Sequence, residues 1–141
     1  MGSSLEHPDF NSFYFVQELL EGDFTTGLDM DRLQNHSSGF IVWEFLLTDE
    51  KQTISPWDSH PRNYWHLNKN KFITLFKISK KLDAKLLLVN YAKLGTTHED
   101  KVLVIWVHDL DPNGIQKESI YRLSRIKFKE WFKKLNKESI K

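Results

Sequence analysis

The run Phe40-Ile41-Val42-Trp43-Glu44-Phe45-Leu46-Leu47 sets a single carboxylate in the middle of apolar residues. An ionised carboxylate buried there carries a large desolvation cost unless a cation or hydrogen-bond donors meet it. If the run is a β-strand, alternation puts Glu44 on one face with Phe40, Val42 and Leu46, and an upstream hairpin partner could bring Asp31 or Asp29 alongside. Two or three converging carboxylates hold a hard divalent cation such as Mg²⁺ and leave its other positions to water and phosphate, as phosphodiester hydrolysis requires. The competing reading is an ordinary strand carboxylate that reaches solvent or pairs with one lysine.

The cations are downstream. With Trp65 placed at 0° on a helical wheel of about 100° per residue, Phe72 falls at about −20°, Phe76 at about +20° and Ser79 at about −40°. Lys69, at about +40°, lies inside that apolar stripe, where it could reach over the sheet to Glu44 or to a metal-bound water. The alternative is a helix that begins one turn later and leaves Lys69 in solvent. Lys71, at about −120°, is a weaker choice for that role and reads as a phosphate contact, as does Lys77 further along. His60, Arg62, Tyr64 and His66 crowd the entry to this helix. Arg62 and His66 suit phosphate, although a loop packed by its own aromatic residues accounts for the same cluster. Asn90 is the polar residue of Leu86-Leu87-Leu88-Val89-Asn90, able to bond near the site or to a neighbouring backbone group.

These side chains need a scaffold, and hydrophobic periodicity outlines one. Asp9–Glu21 reads as an amphipathic helix between Pro8 and Gly22. Gly27–Leu33 alternates as a short strand with an acidic face, Asn35–Gly39 supplies turn residues, and Phe40–Leu47 completes a hairpin. Lys51–Arg62 is an ordered loop, followed by a helix over about 63–82 and strands over 86–92 and 101–109. Asp111-Pro112-Asn113-Gly114 makes a turn into a short edge strand over 115–123. Ser124 caps a last helix with Ile126, Trp131, Phe132 and Leu135 inward. The expected class is α/β, a mixed central sheet flanked by helices in the order α-β-β-α-β-β-α before the edge strand is counted.

Composition bounds the rest. The 141 residues suit one domain over 8–141, with 1–7 a disordered or vector-derived N-terminus. The absence of cysteine excludes disulfides, thiolate zinc sites and a cysteine nucleophile. No apolar run approaches the roughly 20 residues that span a bilayer, and the N-terminus lacks a signal-peptide pattern, so a cytoplasmic protein without a membrane segment is expected. Charge is segregated: residues 1–60 hold eleven acidic and two basic side chains (−9), whereas 61–93 hold one acidic and eight basic (+7). The first could gather metal and the second phosphates, or both are solvated faces. No phosphate-binding Gly-rich loop, Gly-x-Ser-x-Gly elbow or His-Glu-x-x-His is present.

The order of helix, strand with Asp31, turn, strand with Glu44, helix and strand resembles the core of the PD-(D/E)XK nucleases over roughly residues 10–109. The resemblance implies a restriction-endonuclease-like fold and a Mg²⁺- or Mn²⁺-dependent endodeoxyribonuclease. Asp31 and Glu44 would bind the metal and act catalytically, with Asp29 or Glu18, the latter on the first helix, assisting. The family's lysine two residues after the glutamate is Leu46 here, so Lys69 takes that catalytic role by relocation. Arg62, His66, Lys71 and Lys77 would contact nucleic acid, most simply DNA. The alternative implied is a non-catalytic nuclease-fold module that binds nucleic acid, a protein partner or a second copy of itself.

Overall fold

The computed structural model describes residues 10–48 and 54–140, so the N-terminal stretch 1–7 and positions 51–53 of the central loop lie outside the described residues. Five strands form one sheet whose spatial order follows the chain: β1 (Arg32–His36), β2 (Gly39–Leu47), β3 (Lys85–Tyr91), β4 (Lys101–Asp111) and β5 (Gly114–Ser124). β2 and β3 run parallel, and every other neighbouring pair is antiparallel. Among the described residues, three helices accompany the sheet: α1 (Phe10–Leu20), α2 (Trp65–Lys81) and α3 (Arg125–Ser139). α2 and α3 flank this mixed sheet, as the α/β patterning predicts.

Period-two alternation sorts the sheet residues between two layers. Val42, Leu86, Leu88, Leu103 and Ile105 pack with Phe72 and Leu75 of α2 on one face. Ile41, Trp43, Leu87, Val89 and Val104 point to the other face, where Phe128, Trp131 and Phe132 of α3 cover them. Trp43 is fully buried, its ring centre 5.1 Å from Phe132 and 5.7 Å from Trp131. Its indole N–H donates to Gln34 Oε1 at 2.9 Å, and Gln34 Nε2 donates to Ser139 Oγ at 2.9 Å. The polar groups under this aromatic cluster are therefore satisfied.

The parallel pair fixes where α2 must lie. Parallel strands need a crossover, and the segment from β2 through α2 to β3 supplies it on the Val42 face. Two 3₁₀ turns, Pro56–Asp58 and Pro61–Tyr64, shape its first half, each with a proline at its start. Among the described residues, no helix is long and apolar enough to cross a membrane.

Four elements differ from the sequence expectation. The first strand runs over Arg32–His36 rather than 27–33. Leu28 and Met30 do pack against the core, but the ladder stops because Asp31 Oδ2 accepts the N–H of Phe45 at 2.8 Å, a donor that pairing beyond Arg32↔Trp43 would need. The edge strand is a full eleven residues, β5. Asp111 Oδ1 accepts from Asn113 N at 2.7 Å and Gly114 adopts φ +141°, a turn that lets two long strands pair up to Lys101↔Ser124. Ser124 caps α3 as expected, its Oγ accepting from Lys127 N at 3.1 Å. Ile126, however, is exposed and Phe128 takes its inward place, since Ile126 lies about 140° around the helix from Trp131. Finally, α1 forms, but Phe13, Tyr14, Phe15 and Leu19 are exposed.

Candidate active site

Glu44 sits midway along β2, opposite Leu88 of β3, and alternation aims it at α2. It is 2% exposed. From α2, the Lys71 ammonium reaches its Oε2 at 2.6 Å, with the lysine side chain about one-third exposed. Asp31 arrives from the other direction, one residue before β1, where the antiparallel register places it across from Glu44. Asp31 also holds the β2 backbone through Phe45 N, so the same carboxylate ends the β1 ladder and delivers a second charge to the site.

Glu44 Oε1 is buried and has no hydrogen-bond partner among the described residues. The Glu44 carboxyl is raised from 4.5 to about 7, chiefly by burial. Within that balance the Lys71 ion pair lowers it and the Asp31 carboxylate beside it raises it further. Two carboxylates this close, one with an unmet acceptor, are short of positive charge even after Lys71 is counted.

The three side chains open into a cavity of about 510 Å³ roofed by Ile54, Ser59 and Tyr64 of the crossover loop. Asn90 sets that roof. It lies on the same sheet face as Glu44, is fully buried, and its Nδ2 donates to Ser59 O at 2.6 Å and Pro56 O at 3.4 Å. His60 fixes the far side of the loop: its Nδ1 accepts from Arg62 N and its Nε2 meets Glu118 Oε1 of β5 at 2.6 Å. Burial pushes the Tyr64 phenol up to about 12, so it is neutral throughout the physiological range.

Lys69, the lysine expected at Glu44, is displaced by Lys71. The buried residues of α2 are Phe72, Leu75 and Ser79, a stripe centred at about −50° on the wheel rather than near 0°. Trp65 is off this centre, and its indole N–H donates to Pro112 O in the β4–β5 turn. Lys69, about 40° from Trp65, shares that flank, whereas Lys71 lies on the opposite one, toward β2. Among the described residues, Lys69 forms no ion pair.

Of the remaining predicted residues, Asp29 is exposed and absent from the cavity wall, and Glu18 is on the exposed helix α1. His66 is exposed at the start of α2. Arg62 is exposed beside Arg122 and Asp58 at a separate, smaller cavity. Lys77 is exposed on α2. Sequence reasoning left Tyr64, Ser59 and Asn68 out of the cavity wall. Of these, Asn68 had a usable signal, since its wheel angle of about −60° lies on the buried stripe.

Among the described residues, no group of three His, Cys, Asp or Glu side chains stands together to hold a metal. The donor set still fits a hard cation. Mg²⁺ keeps several waters and takes only one or two protein carboxylates, and Asp31 with the unpartnered oxygen of Glu44 supplies that number. No family model matches the chain, and no curated protein or solved structure matches it.

Proposed function

We propose that this domain is a divalent-metal-dependent nuclease of restriction-endonuclease-like fold, hydrolysing DNA phosphodiester bonds at the Asp31–Glu44–Lys71 cluster. The observation that carries the reading is the Lys71–Glu44 pair at 2.6 Å beside Asp31: two carboxylates and a lysine, the charge set of a PD-(D/E)XK site, drawn together from the segment before β1, from β2 and from α2. Lys71 supports it further, because a lysine from α2 supplies the cation that Leu46 withholds from the strand.

Asp31 and Glu44 would hold Mg²⁺ or Mn²⁺, which supplies Lewis-acid polarisation of the phosphate and a more acidic water. Lys71 stabilises negative charge that develops on the phosphoryl oxygens and, through Glu44, keeps the ligand carboxylate in place. Burial of Glu44 removes competing water from its inner oxygen. Asn90 keeps the crossover loop over the cavity, so Ser59 and Tyr64 stay beside the reacting groups.

Calorimetric titration with Mn²⁺ and a plasmid-nicking assay test the reading on the wild type and Glu44→Ala. Binding and nicking by the wild type, both lost in the variant, are expected. Nicking retained by Glu44→Ala overturns the assignment. A second reading, a non-catalytic nuclease-fold module, is favoured by the count of two converging carboxylates and by the exposed apolar side chains of α1, which suit a protein partner. DNA or protein binding without metal-dependent nicking would select it.

A further inference from the structure

A second cavity, of about 490 Å³, adjoins the first along the outer flank of α2. Thr25, Thr26 and Leu28, from the segment that precedes β1, form one wall, and Lys71, Thr74 and Lys77 form the other. Lys71 lines both cavities. Among the described residues, the ionisable side chains lining the second are Lys71, already paired with Glu44, and Lys77. The two cavities thus differ in sign: one presents Asp31 and Glu44, and the other is cationic and rich in hydroxyls.

Lys71, Thr74 and Lys77 succeed one another at intervals of three, each about 60° around the helix from the last, so the row winds about 120° from Lys71 to Lys77. Six residues rise about 9 Å from Lys71 to Lys77. Measured along the axis of a stacked strand, that rise corresponds to roughly two to three base steps at about 3.4 Å each. Lys77 forms no ion pair among the described residues, so its ammonium is free for an anion. Thr25 Oγ1 accepts from Gly27 N at 2.9 Å, which fixes the opposite wall and leaves the hydroxyl hydrogen to be donated. A hydroxyl-lined trough whose ionisable side chains, among the described residues, are lysines attracts a polyanion.

We propose that this trough is a backbone-phosphate subsite, holding the phosphodiesters on one side of the bond positioned at Lys71. The ligand class is a nucleic-acid strand that continues past the scissile position, since a single terminal nucleotide leaves Lys77 unused. The proposal rests on the nuclease reading for the identity of the scissile position, but the subsite itself is an anion-binding surface that can be measured without cleavage.

The test is fluorescence anisotropy of a labelled single-stranded DNA oligonucleotide with EDTA present, on the wild type, Lys77→Ala and Lys129→Ala. Lys129 is exposed on α3, across the sheet, and controls for the change in net charge. Lys77→Ala is expected to weaken binding on the order of fivefold and to lower the slope of log K against log salt by about 0.7, while Lys129→Ala changes neither. Equal effects of the two substitutions, or no binding by the wild type at low salt, overturn the subsite. Weakened binding in Lys77→Ala together with no Mn²⁺-dependent nicking by the wild type keeps the subsite and sinks the nuclease reading. Nicking by the wild type with unchanged binding in Lys77→Ala does the reverse.

Discussion

Glu44→Gln should make the protein more stable, and the gain should depend on pH in a defined way. The folded carboxyl titrates at about 7 and the unfolded one at 4.5. Below 4.5 both states are protonated and the group is neutral in the balance. As pH rises from 4.5 the unfolded state ionises first, so stability falls until the folded group also ionises near 7, after which the loss is constant. The interval corresponds to about 3 kcal/mol. Glutamine keeps the shape, can still accept from Lys71, and its amide can donate to Asp31 where the carboxylate repelled it. Lys71 is one-third exposed and can also rehydrate. The advantage of the variant should therefore be near zero at pH 4.5, grow through the window, and level off at about 3 kcal/mol above pH 8, or roughly 10 °C in Tm. Urea denaturation at half-unit intervals from pH 4.5 to 8.5 measures it. A variant that is less stable than the wild type at pH 8, or an advantage that does not vary with pH, refutes the account of Glu44 as a carboxylate held against its own ionisation.

Metal binding should displace the Glu44 proton. Calorimetry with Mn²⁺ at pH 6, in buffers of different ionisation enthalpy, should show close to one proton released per ion, falling toward none by pH 8.5. Lys71→Ala removes the cation from a buried carboxylate and should cost about 1–3 kcal/mol at pH 8 and abolish nicking, whereas Lys69→Ala should do neither; urea titration and the plasmid assay distinguish them. Asn90→Ala leaves the carbonyl of Ser59 without its donor and loosens the loop over the cavity. A loss of about 1–3 kcal/mol, with faster proteolysis near Ser59, is expected.

Much of this geometry was legible in the strand Phe40–Leu47. Its apolar run and its one carboxylate indicated a buried strand with Glu44 on the helix-facing side, because strand alternation is rigid. Asp31 was identified by the same logic, yet the strand expected around it was misplaced. Side-chain capture of Phe45 N is a tertiary hydrogen bond with no signature in local pattern. The choice between Lys69 and Lys71 failed for a related reason. Aromatic residues such as Trp65 and Phe76 widen the apolar arc of α2, and only packing on the sheet shows that Phe72, Leu75 and Ser79 are its centre. Glu18 was proposed by resemblance and Asp29 from the geometry of a hairpin partner, and neither lines the cavity.

Trp43 and Glu44 are neighbours in the chain but are served by opposite layers, the indole by α3 and the carboxylate by α2. One peptide unit joins the structural centre of one face to the chemical centre of the other. The packing of one face and the position of the carboxylate on the other are consequently coupled in this protein. A substitution that repacks Phe128 or Phe132, whose rings pack against Trp43, should shift that ring and with it the strand that carries the carboxylate next door. Evolution or design that refines the aromatic layer thereby adjusts the position of the Glu44 oxygens, and changes at α3 reach the site without touching it.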